Sequence, residues 1–147
     1  MIIINKRNLF FLISVWLLST LLSAQNVTIS TPHTQLLLSV PNGGTPEQLY
    51  YGSRTSDADI RSICETARRR NAYPVYGMGY PCETALSVRH ADGNLTLQMA
   101  VIGVKETRLT KENATLTVIE LKDKVYPFFV NICYKAWQDA DVIETWT

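Results

Sequence analysis

Thr115-Leu116-Thr117-Val118-Ile119-Glu120-Leu121, then Lys122-Asp123-Lys124, then Phe128-Phe129-Val130-Asn131-Ile132-Cys133-Tyr134-Lys135 is the stretch that decides the fold. Its first segment alternates, with Leu116 and Val118 pointing one way and Thr115, Thr117 and Ile119 the other. Its last segment alternates too, with Phe128, Val130, Ile132 and Tyr134 set against Phe129, Asn131, Cys133 and Lys135. A period of two places one row of side chains on each face of a sheet. The polar Lys122-Asp123-Lys124 between them predicts a hairpin.

The same period runs outward on both sides. Gln35–Val40 and Glu47–Tyr51 are short strands separated by the turn cluster Pro41-Asn42-Gly43-Gly44. Ala85–His90 and Leu95–Ile102 flank Ala91-Asp92-Gly93-Asn94, and Asp-Gly supplies the positive φ of a tight hairpin turn. Asp141–Thr147 starts another alternating strand, carrying Trp146 near the last residue. Ser56–Arg70 breaks the pattern. Ser56 followed by Asp59 resembles a capping box with the shorter acid. Ile60, Cys64 and Ala67 fall at helical spacing, and Arg68-Arg69-Arg70 suits a helix C-terminus. The three arginines also admit reading as an anchor for an acidic surface. The expected fold is all-β, an antiparallel β-sandwich of about eight strands with one short helical insertion.

The N-terminal 24 residues read differently. Lys6 and Arg7 precede the 14-residue run Leu9–Leu22, which small residues follow at Ser23-Ala24. That is the order of a secretory signal peptide, and the run is short for a bilayer span of about 20 residues. A retained membrane anchor is the alternative, because Leu22 is large for the third place before a cleavage site. Cleavage after Ala24 predicts a secreted or periplasmic chain of one domain, residues 25–147, incomplete at its C-terminal end. Removing Lys6 and Arg7 from the 14 Lys and Arg leaves 12 against 13 Asp and Glu, a net charge of −1 instead of +1. Phosphate neutralisation needs a basic field, so nucleic-acid binding is excluded as the expected function.

Candidate chemistry is sparse. His33 and His90 lie far apart in the chain, and no H-x-x-x-H, G-x-S-x-G or phosphate-cradling glycine loop occurs. Cys64, Cys82 and Cys133 fit no metal spacing, and two readings stay open: one bridge with a thiol left over, or small buried apolar residues. No catalytic residue, metal or cofactor is expected. Asp57 and Asp59 form a carboxylate pair that also suits a helix start. Tyr73-Pro74-Val75-Tyr76-Gly77 reads as an irregular loop with exposed rings, and aromatic faces stack on sugars.

These pieces occur in a recognisable order. Leu49-Tyr50-Tyr51-Gly52, Ala72-Tyr73-Pro74-Val75-Tyr76-Gly77-Met78-Gly79, Glu83-Thr84-Ala85-Leu86 and Val88-Arg89-His90-Ala91-Asp92-Gly93-Asn94 come first. Leu116–Lys122, Tyr126-Pro127-Phe128-Phe129-Val130 and Asp141-Val142-Ile143-Glu144-Thr145-Trp146-Thr147 follow. The set resembles the N-terminal domain of glycoside hydrolase family 36 α-galactosidases, most of all secreted members from Bacteroides-type bacteria. The resemblance implies a β-sandwich preceding a (β/α)8 catalytic barrel. The barrel's two aspartates hydrolyse terminal α-galactosides with retention, and neither belongs to this chain. It also implies homo-oligomers in which an acidic residue after the Tyr-Gly strand reaches a sugar site. Here the corresponding segment is Ser53–Asn71, which makes Asp57 and Asp59 the candidates for substrate binding beside Tyr73 and Tyr76. The turn Gly79-Tyr80-Pro81-Cys82-Glu83 departs from the family's Gly-Asp-Phe-Arg-x-Pro pattern. Partners implied are a galactoside oligosaccharide and the missing or separately encoded barrel. A free-standing carbohydrate-binding or assembly module is the alternative.

Overall fold

The computed structural model describes residues 25–147, so the segment read as a signal peptide lies outside the described residues. Among the described residues, eight strands form two four-stranded sheets, and every strand pairing is antiparallel between neighbours in sequence. The first sheet holds β1 (Gln25–Ser30), β2 (Thr34–Val40), β3 (Glu47–Ser53) and the two-residue β4 (Arg70–Asn71). The second holds β5 (Met99–Leu109), β6 (Ala114–Asp123), β7 (Phe129–Trp137) and β8 (Ile143–Trp146). The expected β-sandwich is the observed fold, and the β6–β7 hairpin stands where the alternation put it. Among the described residues, no helix is long and apolar enough to cross a membrane.

Apolar rows of the two sheets meet in one core. Val27, Ile29, Leu36, Leu38 and Val40 of the first sheet pack in one cluster with Ile119, Leu121, Ile132, Tyr134 and Ala136 of the second. The opposite row of β2, Gln35-Leu37-Ser39, is buried as well. The segment that follows β3 covers that outer face. Thr55 N donates to Gln35 Oε1 at 3.0 Å, and Arg69 Nη1 donates to Ser39 Oγ at 3.1 Å. This segment carries α1 (Asp57–Thr66), whose N-cap Ser56 accepts from Asp59 N as the sequence predicts. The helix stops short of Arg68-Arg69-Arg70, and no basic residue lies in its last turn. Arg69 instead pairs with Glu47 at 2.9 Å.

Two strand expectations change as well. Ala85–His90 is not a strand and forms no ladder with Leu95–Ile102. The Asp92-Gly93 turn does close, with Gly93 at φ 87°, Gly93 N donating to His90 O and His90 N to Asn94 O, each at 2.9 Å. Beyond it, Pro74–Tyr76 takes the backbone partners of both arms. Ala85 N donates to Pro74 O, Tyr76 N to Leu86 O, and Leu97 N to Tyr76 O. The second change is the length of β5, which runs on to Leu109. A bulge at Ile102, where Val101 faces Leu121 and Gly103 faces Glu120, inserts one residue and reverses the parity of the strand. Met99 and Val101 face the core before it, and Val104, Glu106 and Arg108 share that face after it. Ile102 itself is 52% exposed.

Candidate functional site

The residues singled out in the sequence are dispersed. Asp57 and Asp59 sit in the first turn of α1, exposed. Ser56 Oγ donates to Asp59 Oδ2 at 2.7 Å, so that carboxylate completes a helix cap. Tyr76 is 47% exposed and stands beside exposed Met78 and Tyr80 on one loop. Tyr73 corrects the expectation of an exposed ring: it is 8% exposed and belongs to the core cluster. The extended Tyr73-Pro74-Val75-Tyr76 segment alternates, so Tyr73 and fully buried Val75 point inward while Tyr76 points out. No hydrogen bond among the described residues joins either aspartate to either tyrosine. Cys64, Cys82 and Cys133 are all free, and exposed Cys82 does not fit the buried reading.

The best-organised polar group lies at the turn end of the sandwich and was not singled out as a unit. The rings of His90 and Tyr126 stack with centroids 3.6 Å apart and planes 10° from parallel. Tyr126 Oη donates to Asp92 Oδ2 at 2.6 Å and accepts from Asn94 Nδ2 at 2.9 Å. The phenol and the Asn94 backbone N–H hold the Asp92 carboxyl below the usual carboxylate range, and the same bond raises the Tyr126 phenol. Beneath them Asp123 is buried at the end of β6. Burial pushes its carboxyl upward, but N–H donors from Tyr126, Gln98 and Val125 at 2.7–2.9 Å outweigh that and hold it low. The group pins the Asp92-Gly93 turn to the β6–β7 turn. Asp-Gly was legible as a turn, but its partner Tyr126 is 34 residues from Asp92, and no local pattern marks it.

A second cluster ties the sheets at the other end. Asp141, in the left-handed region at φ 53°, accepts from Thr31 Oγ1, from His33 N at 3.1 Å and from Thr34 N at 3.2 Å. The Thr31 hydroxyl leads in keeping its carboxyl below the ordinary value, against the opposing pull of desolvation. Both clusters join loops, and neither sets a nucleophile beside a base. Among the described residues, no group of three or more His, Cys, Asp or Glu side chains is placed to hold a metal.

Comparison with known proteins gives these features a family. The glycosyl hydrolase family 36 N-terminal domain matches residues 44–147. No curated protein matches the chain. Among solved structures, the α-galactosidase from Lactobacillus brevis superposes with a TM-score of 0.70 at 16% identity, over 83% of this chain and 21% of that one. A family 36 α-galactosidase variant from Geobacillus stearothermophilus, solved in complex with raffinose, gives 0.69 at 16% identity over 82% and 21%. The galactosidase domain of an α-galactosidase-sucrose kinase gives 0.64 at 21% identity over 80% and 21%. The chain therefore spans about a fifth of each of these enzymes. With the match running from Gly44 through the core strands to Thr147, the chain belongs to the glycosyl hydrolase family 36 N-terminal domain family.

Proposed function

We propose that this chain is the non-catalytic N-terminal β-sandwich portion of an α-galactosidase of the secreted, Bacteroides-type kind. In the complete enzyme a separate barrel would hydrolyse terminal α-galactosides. The observation that carries the reading is the match of residues 44–147 to the family 36 N-terminal domain. Structural neighbours solved with raffinose and with 1-deoxygalactonojirimycin support a galactoside as the enzyme's substrate class. The basic-apolar-small order of Met1–Ala24 supports export to the periplasm or beyond.

On this reading the sandwich serves as scaffold. The exposed Asp57 and Asp59, on a covering segment rather than in a strand, are the groups available to reach a sugar bound by a neighbouring subunit of a homo-oligomer. Tyr76 is the available aromatic face, whereas Tyr73 is committed to the core. The test is the coding DNA beyond codon 147. A reading frame that continues, directly or after a frameshift, into (β/α)8 barrel sequence supports the reading. Downstream DNA that encodes no barrel overturns it.

A carbohydrate-binding module is the second reading, favoured by the exposed Tyr76 and Tyr80 on one loop. It predicts binding of galactose or raffinose that is lost in Tyr76→Ala, measured by calorimetry. No heat with either sugar excludes it.

A further inference from the structure

The parity reversal at Ile102 has a chemical result on the inner face of the second sheet. Before the bulge this row of β5 is apolar. After Val104 it carries Glu106 and Arg108, opposite Thr117 and Thr115 of β6. A cleft of about 220 Å³ opens there, walled on its other side by Ser30 of β1 and by Arg54, which follows β3. Its charged lining is unneutralised. None of Arg54, Glu106 and Arg108 forms an ion pair among the described residues. Arg108 is held in place without being neutralised: Nη1 donates to Thr115 Oγ1 at 3.1 Å and Nη2 to Asn113 Oδ1 at 2.9 Å. Thr117 is 1% exposed and lines the cleft.

We propose that this cleft binds a single monosaccharide carrying one carboxylate, a hexuronate. The two guanidinium groups supply charged N–H donors, which a carboxylate accepts strongly. The Glu106 carboxylate is an acceptor only, which suits sugar hydroxyls and disfavours a dianion such as phosphate or sulfate by like-charge repulsion. The threonine hydroxyls both donate and accept, as a ring of hydroxyls requires. The volume suits one sugar ring. This site is independent of the galactosidase reading, because it uses none of Asp57, Asp59 or Tyr76.

Titration of the purified chain with galacturonate, galactose and sulfate, followed by NMR or calorimetry, tests it. Saturable galacturonate binding is expected, weakened about tenfold or more in Arg54→Ala and in Arg108→Ala, with neither galactose nor sulfate competing at equal concentration. Glu106→Gln should retain carboxylate binding and admit sulfate. Arg54, Glu106 and Arg108 are exposed, so the variants should melt like the parent, which separates lost binding from lost fold. No galacturonate binding, equal binding of galactose, or binding unchanged in both arginine variants overturns the proposal.

Discussion

Three backbone N–H groups converge on the Asp123 carboxylate, and two of them, from Val125 and Tyr126, form the turn that joins β6 to β7. Asp123→Ala leaves all three unpaired around a buried position, and it is expected to cost about 2–3 kcal/mol in urea unfolding. A loss below about 0.5 kcal/mol would contradict that role. The folded carboxyl lies below its ordinary value, so its stabilisation is complete above the unfolded-state pKa of about 3.9 and disappears as pH falls through the native value. Stability should therefore fall on the acid side of about pH 4, and Asp123→Asn should flatten that fall. An acid limb of unchanged steepness in the variant would refute the assignment. Gly77 is a second decisive residue. Its φ of 97° and a Cβ that would meet Thr96 Cγ2 at 2.5 Å forbid a side chain there. Gly77→Ala should cost about 1–3 kcal/mol, seen as a lower melting temperature; an unchanged one contradicts the strain argument. The sequence showed Asp123 only as a polar turn residue and Gly77 only as part of an irregular loop. Asp123's remaining donor, Gln98, is 25 residues away, and such convergence leaves no local pattern.

At the scale of elements, legibility followed periodicity. β6 and β7 were read in place because their alternation is unbroken over at least seven residues. α1 was read through its cap, and the capping bonds are present. β5 was cut short because the bulge at Ile102 breaks the period of two, so Val104–Leu109 loses phase with what precedes it. Ala85–His90 was read as a strand because the Asp-Gly turn is real, but Pro74–Tyr76 competes for its backbone partners. The helix cap gives an element-scale prediction. Ser56→Ala should cost about 1 kcal/mol. α1 buries no residue fully, so the loss should stay local. Amide exchange over residues 57–63 should quicken while β5–β7 keeps its protection. Equal acceleration in both regions would show that the covering segment unfolds with the core.

For the whole molecule, two consecutive meanders pack face to face, and one four-residue strand closes the far edge of the second sheet. Among the described residues, β8 pairs only with Cys133–Ala136, and the Phe129–Ile132 part of β7 has no strand partner on that side. Phe129 and Trp146 are exposed there, with Trp146 at 44%. An open edge with apolar side chains favours association. The chain should self-associate as its concentration rises in analytical ultracentrifugation, and Trp146→Ser should weaken this; a monomer at every concentration contradicts the prediction. The sandwich class was legible because period-two segments dominate the chain. Of the residues singled out, Asp57, Asp59 and Tyr76 stand exposed, whereas Tyr73 faces the core because the extended segment alternates. Reading the Pro- and Gly-containing stretch as an irregular loop hid that period. This chain belongs to the family 36 N-terminal domain family, and the central proposal is that it has no hydrolytic chemistry of its own. The most direct test is to incubate the purified chain with p-nitrophenyl α-galactoside and follow nitrophenol release. No release above the buffer blank is predicted, and turnover that falls on Asp57→Asn or Asp59→Asn would contradict it.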